Sequence, residues 1–237
     1  MKALILAGGQ GLRLRPLTDD KPKPLVALNG KPIAEWQLDW MIKNVDLEQA
    51  TFLCGYKWTR LKEHFGSAYR GVRIEYSVEE EPLGTGGAFR RAISGSNMGD
   101  EDVLMLNGDI VTELPLAEMV AAHSSDKARP TITLLLVPYK SRFGIVHIDA
   151  QKLVRSFEEK PEFEDVWING GIYVGNAKKL FADLPLEGDI ERETFPKLAA
   201  AGKVLAFPYK GFWSLIDSVK DIQEVEKALD ADARPKK

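Results

Sequence analysis

Short apolar runs alternate with amphipathic stretches through the first half of the chain. Ala3–Ala7 is unbroken apolar sequence, the pattern of a strand buried on both faces inside a parallel sheet. An irregular segment rich in Gly, Pro, Asp and Lys follows. Then Ile33, Trp36, Trp40 and Met41 recur at helical spacing and predict a helix over Ile33–Asn44. The same reading places strands at Ala50–Cys54, Val72–Ser77 and Val103–Leu106, and helices at Trp58–Phe65 and Gly86–Ser94. Strand and helix in this rhythm predict right-handed βαβ units and an α/β, doubly wound sheet flanked by helices.

The pattern changes after a helix expected at Pro115–His123. Thr131–Val137, Gly144–Ile148 and Ile168–Val174 read as strands with little helix between them, so the second half is expected to be mixed or antiparallel. Helices at Ala177–Leu184 and Glu191–Ala201, a strand at Val204–Pro208 and a helix from Val219 complete it, with residues 233–237 expected to fray. No internal repeat, low-complexity linker or clean boundary interrupts the chain. One domain over residues 1–237 is expected, with functional halves of roughly 1–125 and 126–237.

Composition narrows the function. Of 237 residues, 44% are hydrophobic and 28% charged, the balance of an ordinary globular protein. A formal charge of −3 argues against a nucleic-acid partner bound by bulk charge. No apolar run approaches the ~18–20 residues of a membrane span, and the N-terminus lacks signal-peptide flanks, so no membrane partner and a cytoplasmic location are expected. The single cysteine, Cys54, excludes an internal disulfide and a Cys-based zinc site and reads as a small core residue.

The candidate chemistry starts at Ala7–Pro24, where a strand runs into Gly8, Gly9 and Gly11, then Arg13, Lys21 and Lys23. Glycines here can simply permit a tight turn, but that leaves the cations unexplained. No Walker string exists, and the dinucleotide fingerprint fails because Leu14 stands where its third glycine should be. The residues suit a glycine backbone whose N–H groups, together with side-chain cations, surround a triphosphate. Arg13 offers a planar fork, and Lys23, fixed between Pro22 and Pro24, offers a point charge. Lys21 is as well explained as a solvated residue. Asn107-Gly108-Asp109 and Phe212–Asp217 also follow strands, and ligands of open α/β sheets bind at such strand ends.

These strings resemble a known family. AGGQGLRLRPLT (7–18), KPKPL (21–25), GKP (30–32), EPLGTGGA (81–88), LNGD (106–109), FG (143–144), EEKP (158–161) and NGGIY (169–173) follow the order of the sugar-1-phosphate nucleotidylyltransferases, or NDP-sugar pyrophosphorylases. The stretch around 79–88 looks closest to mannose- and heptose-1-phosphate guanylyltransferases. The resemblance implies a Rossmann-like catalytic domain that joins an NTP and a sugar 1-phosphate, with Mg²⁺, to give an NDP-sugar and pyrophosphate. It implies Arg13 and Lys23 as catalytic cations and Asp109 as a metal carboxylate. It assigns Leu6, Gly8, Gly9, Gly11, Glu79, Pro82, Gly84, Thr85 and Asp109 to the nucleotide. Gly144, Glu159, Lys160, Asn169 and Gly171 go to the sugar phosphate.

The second metal carboxylate departs from the family pattern. Much of the family has Trp-x-Asp-x-Gly, whereas Trp213 here is followed by Ser-Leu-Ile-Asp217-Ser, a form similar to glucose-1-phosphate cytidylyltransferases. Asp217 is the first choice and Asp221 the alternate. A carboxylate at Glu79 suits the N1–H and N2–H₂ donors of guanine, so GTP is favoured; CTP, dTTP or UTP with glucose 1-phosphate is the alternative. Of the acidic run Glu79-Glu80-Glu81, at least two residues are expected to be solvated, and Gly86 and Gly87 are expected to bring a helix start toward the nucleotide. His64, His123 and His147 lack partner motifs and are read as structural or surface residues. A non-catalytic nucleotide-sugar sensor or regulatory subunit would not need this full set of charged residues, and a glycosyltransferase would more typically carry Asp-x-Asp. No hexapeptide repeat of a C-terminal left-handed β-helix is present, and a homo-oligomer is compatible with everything above.

Overall fold

The first apolar run is strand β1 (Lys2–Ala7), with Ala3, Leu4 and Ile5 fully buried. A computed structural model of the chain describes residues 1–96, 98–125 and 130–232. The Pro-rich segment after β1 makes two single 3-10 turns, at Leu12–Leu14 and Lys23–Leu25. A small hairpin, β2 (Ala27–Leu28) and β3 (Lys31–Pro32), then leads into α1 (Ile33–Asn44). The chain continues through β4 (Gln49–Cys54), α2 (Trp58–Phe65), β5 (Ala68–Tyr69), β6 (Val72–Val78), α3 (Gly84–Gly95) and β7 (Asp102–Asn107). Bounds of α1 and α2 agree with the apolar spacing because each helix buries one stripe: Ile33, Ala34, Gln37, Leu38 and Met41 in α1, Leu61 and Phe65 in α2.

The second half adds β8 (Ile110–Thr112), α4 (Leu116–Ser125), β9 (Ile132–Lys140), β10 (Ile145–Ile148), β11 (Val154–Glu158) and β12 (Glu162–Asn176). It ends with α5 (Ala177–Asp183), α6 (Ile190–Glu193), α7 (Phe195–Ala200), β13 (Val204–Pro208), β14 (Trp213–Leu215) and α8 (Val219–Asp232). The expected division near residues 125 and 126 adjoins 126–129, and the expected frayed tail is 233–237; both stretches lie outside the described residues.

Several elements differ from the pattern reading. The helix expected at Glu191–Ala201 is broken at Thr194 into α6 and α7. Pro196 has no N–H to donate and its ring crowds the carbonyl four residues back, so one helix cannot run through. Strand β12 is fifteen residues long, starting well before Ile168, and its first eight residues are largely exposed, while β11 is wholly exposed, so neither of these stretches showed a buried-strand signature.

Eight strands form the main sheet in the order β13-β9-β12-β7-β1-β4-β6-β5. β7, β1, β4 and β6 are mutually parallel, β12 runs antiparallel to both β7 and β9, and β13 is parallel to β9. The sheet is therefore mixed and mainly parallel. Crossovers from β1 lead to β4 on one side, while β7 lies on the other. The strand order thus reverses between β1 and β7, and a crevice opens beyond their carboxyl ends.

Candidate active site

That crevice is a cleft of about 730 Å³. Leu6, Gly8 and Gly9 from the end of β1, Asn107, Gly108 and Asp109 from the end of β7, and Lys23 line its floor. Glu79, Pro82, Gly84 and Thr85, between β6 and α3, form its far wall. The close approach of the two strand ends depends on Gly108: its N–H donates to Leu6 O at 3.0 Å, and a Cβ there would lie 2.2 Å from the same oxygen. Glycine is required because β7 must press on β1 at the point where Asp109 leaves it.

Four charged side chains converge at one end. Lys23 Nζ donates to Asp109 Oδ2 at 2.7 Å and reaches Asp217 Oδ1 at 3.4 Å. Arg13 Nη1 pairs with the other oxygen of Asp217. Asp217 is brought here by β14, which pairs with β8, and by Ile216 N donating to Asp109 O at 2.8 Å. Burial pushes the Asp217 carboxyl up, but the Arg13 hydrogen bond and the Lys23 and Arg13 charges outweigh it, so it lies below the usual carboxylate range. Arg13 is mostly exposed, whereas the Lys23 side chain is only 14% exposed.

The site fits a divalent cation. Asp109 Oδ1 is buried and has no hydrogen-bond partner among the described residues. Oxygen-only donors suit a hard ion such as Mg²⁺, and one cation, the Lys23 ammonium, already lies between the two carboxylates. No group of three or more His, Cys, Asp or Glu that could hold a metal occurs among the described residues. Asp109 and Asp217 would hold the ion, and phosphate oxygens and water would complete its shell. Asp221 is occupied otherwise: its Oδ2 accepts from Asp217 N at 2.9 Å, Ser218 N at 2.7 Å and Ser218 Oγ at 2.9 Å. Ser218 and Asp221 form a capping box that starts α8 and fixes the turn carrying Asp217.

Glu79 ends β6, where its N–H donates to Cys54 O and its Oε2 accepts from Leu83 N at 3.2 Å. Burial raises its carboxyl pKa, with the Leu83 N–H and the Arg91 charge opposing. Glu80 and Glu81 are exposed. Gly86 and Gly87 do not turn their N–H groups to the cleft. Both donate to Gly188 O, at 2.9 and 3.3 Å, and a Cβ on either would collide with Pro185 or Leu186 O. These glycines seat a loop from the second half of the chain rather than a phosphate.

The sugar-side residues fall into two sets. Asn169 and Gly171 sit in an irregular turn of β12, where Asn169 Oδ1 accepts from Gly171 N and its Nδ2 donates to Tyr173 Oη at 2.8 Å. A Cβ on Gly171 would lie 2.8 Å from Asn107 Nδ2, so this turn abuts the cleft floor. Gly144, Glu159 and Lys160 flank the β10–β11 hairpin, outside the residues that line the cleft. A Cβ on Gly144 would approach Glu159 Oε2 to 3.0 Å, and Lys160 Nζ lies 3.9 Å from Glu159. Gly11 also stands behind the cleft, packed on Thr18 and the Lys23 side chain with φ +61°.

Several supporting residues carried no signal in the sequence reading. Gln37, 2% exposed in α1, donates to Asn107 O at 2.8 Å and Ile110 O at 3.0 Å and so holds the loop that bears Asp109. Tyr56 lines the cleft and donates to Thr18 O, bracing the glycine-rich loop. Asp189 also lines the cleft from the far half of the chain. A polar residue at a helical core position, as Gln37 is, was the one trace of these roles visible in the sequence.

Comparison with known proteins agrees with this geometry. Residues 2–232 match the nucleotidyl transferase family. The chain is 34% identical over 233 residues to the D-glycero-alpha-D-manno-heptose 1-phosphate guanylyltransferase of Aneurinibacillus thermoaerophilus, covering 97% of this chain and 98% of that one. It is 36% identical over 227 residues to the mannose-1-phosphate guanyltransferase of Pichia angusta, covering 93% of this chain but only 62% of that protein. Among solved structures, HddC from Yersinia pseudotuberculosis superposes with a TM-score of 0.74 at 25% identity, covering 96% and 99% of the two chains. A putative glucose-1-phosphate thymidylyltransferase from Bacillus anthracis shares the fold, with a TM-score of 0.76 at 22% identity over 100% and 98%. With its strand-end cleft, paired carboxylates and cations, and a match along nearly its whole length, the chain belongs to the nucleotidyl transferase family.

Proposed function

We propose that the protein transfers a guanylyl group from GTP to mannose or heptose 1-phosphate, releasing pyrophosphate, with Mg²⁺ and in the cytoplasm. The observation that carries this reading is Lys23, which joins Asp109 to Asp217 at the mouth of the cleft while Arg13 flanks Asp217. Two anions must meet for the reaction, and repulsion between unit charges at 4 Å opposes it by about 4 kcal/mol at intermediate dielectric. The residues needed are therefore cations and metal-binding carboxylates, arranged in advance.

The sugar phosphate oxygen attacks the α-phosphorus in line and the pyrophosphate leaves. The attacking group is already ionised at neutral pH, so the enzyme needs no general base. The histidines stand elsewhere: His64 pairs with Glu35 at 2.7 Å, His123 is buried against Thr133, and His147 is exposed on β10, outside the residues that line the cleft. Lys23 turns from the carboxylates to the α-phosphate and the sugar phosphate, aligning nucleophile and target. Arg13 leaves Asp217 for the departing pyrophosphate and stabilises its charge. Asp109 and Asp217 would hold Mg²⁺, which would supply charge neutralisation for the phosphates. Glu79 accepts from guanine N1–H, and Glu159 and Lys160 take the sugar hydroxyls and the sugar phosphate. The names of the Aneurinibacillus and Pichia relatives support the choice of base and sugar. The Trp213-to-Asp217 spacing favours CTP as the second reading.

The test is pyrophosphate release with Mg²⁺ and each NTP against mannose, heptose and glucose 1-phosphates. Release with GTP and mannose or heptose 1-phosphate is expected. No release from any pair refutes the enzyme reading, and exclusive use of CTP refutes the guanine assignment.

A further inference from the structure

The wall that carries Glu79 and Glu80 also holds a carboxylate delivered from the other half of the chain. Asp189 lines the cleft beside Gly84 and Thr85. Its neighbours on both sides are bonded to the start of α3. Gly188 N donates to Leu83 O at 2.8 Å, and Gly188 O accepts from Gly86 N and Gly87 N. Thr85 Oγ1 accepts from Ile190 N at 3.0 Å and donates to Glu191 Oε2 at 2.6 Å. Gly84, with φ +74°, admits this loop, since a Cβ there would lie 2.6 Å from Gly188 O.

Between these fixed neighbours the Asp189 side chain is left over. It occupies the N-cap position of α6, where aspartate usually accepts a backbone N–H, yet it makes no capping hydrogen bond. Its ion-pair partner, Arg192, stands 3.6 Å away with its own side chain 85% exposed, a contact of little strength. A carboxylate held on a braced loop and not used for capping is available to the ligand.

We propose that Asp189 is a base-selecting residue: it accepts a hydrogen bond from the 2-amino group of guanine, while Glu79 accepts from N1–H. The proposal deepens the guanylyl-transfer reading and rests on it. Guanine presents two adjacent donors on that edge, and of the carboxylates on this wall Glu79 and Asp189 stand on separately anchored segments, while Glu80, which also lines the cleft, is exposed. Adenine N1 and cytosine N3 are acceptors and would face a carboxylate unfavourably. The pair gives Gly86 and Gly87 their purpose, because only residues without a Cβ let the Asp189 loop close on α3.

The experiment compares kcat/KM for GTP and ITP, which differ only in the 2-amino group and share N1–H. The wild-type protein is expected to prefer GTP by roughly tenfold or more, the range for losing a hydrogen bond to a charged acceptor. In Asp189→Ala that preference collapses toward one through loss of GTP efficiency, while ITP efficiency and the sugar phosphate KM stay at wild-type values, which also shows that the variant is folded. Asp189→Asn, retaining one acceptor oxygen, keeps part of the preference, and Glu79→Gln lowers both nucleotides together. An unchanged GTP/ITP ratio in Asp189→Ala, or equal loss of both nucleotides, overturns the proposal and leaves the guanylyl reading standing. A wild-type protein that turns over no GTP overturns both.

Discussion

The Lys23 ammonium lies 2.7 Å from Asp109 Oδ2, so in the free protein the cation of the glycine-rich loop neutralises the carboxylate at the end of β7. In the proposed reaction, nucleotide and metal each need one member of that pair. Lys23→Ala is expected to lower kcat by about 100-fold or more, as for loss of a group aimed at developing charge. The same variant is expected to bind Mn²⁺ more tightly than wild type without nucleotide, measured by electron paramagnetic resonance, because no ammonium competes for the carboxylates. Unchanged or weaker Mn²⁺ binding would show that the pair does not guard the metal seat.

Asp217 and Asp221 separate by what each holds. Asp221 accepts three hydrogen bonds at the start of α8, so Asp221→Ala is expected to cost about 0.5–2 kcal/mol of stability, read from the urea midpoint. Asp217→Asn is expected to weaken Mn²⁺ or Mg²⁺ binding at least tenfold with a smaller change in midpoint. Equal effects of the two variants on metal affinity would contradict the assignment.

Gly84 tests the clamp between α3 and the Asp189 loop. Alanine there meets a positive φ and a backbone carbonyl at 2.6 Å, neither of which can yield cheaply. Gly84→Ala is expected to destabilise by about 1–3 kcal/mol. Gly9→Ala, with no atom within 4 Å of the added Cβ, is expected to leave the urea midpoint near wild type. Nucleotide binding can still suffer there, since Gly9 lines the cleft.

Glu79 and Asp217 predict an ordered response to acid. Burial holds the Glu79 carboxyl above its usual range, so it gains its proton before Asp217 as pH falls, and the acceptor proposed for guanine N1–H is lost there. Asp217, held below its usual range by Arg13 and Lys23, stays ionised to lower pH. The stability its pairing provides is present above the unfolded pKa and is lost only as pH falls through the lower, folded value. The pH profile of kcat/KM for GTP should therefore show an acid limb that Glu79→Gln removes, while the urea midpoint does not fall across that same range, since protonating a carboxyl whose folded pKa is raised does not destabilise the fold. Persistence of the limb in Glu79→Gln would assign it to another group.

The parallel half of the fold was legible because its strands are buried on both faces and its helices carry one apolar stripe; Ile33–Asn44 and Trp58–Phe65 follow from spacing alone. The second half was legible in part: Thr131–Val137, Gly144–Ile148, Ile168–Val174, Ala177–Leu184 and Val204–Pro208 were read as elements, but β11 and the start of β12 were not. β11 exposes every residue, and the first half of β12 is largely exposed, so no period marked them. At the site, Arg13, Lys23, Asp109 and Asp217 were found because their types and order are distinctive, and the structure brings all four together. Asp189 was hidden, since its place depends on Gly188 bonding to residues far away in sequence. Gly86 and Gly87 were read as bringing the start of α3 toward the nucleotide, but the 185–188 loop they seat was not foreseen, because a glycine shows that something comes close without showing what.

Strand β12 belongs to two places at once. Its last residues pair with β7 beside the nucleotide floor, while its first pair only with β9, next to the hairpin that carries Glu159 and Lys160. Between them the register slips around Asn169–Tyr173, where Gly171 takes φ +67° against Asn107. The cleft floor and the β10–β11 hairpin are therefore two ends of one continuous strand, with a slip in register at its middle. Through Gly171 and Asn107 that strand touches the cleft one residue from the Gly108-Asp109 turn, so the two ends share one backbone and no interface separates them.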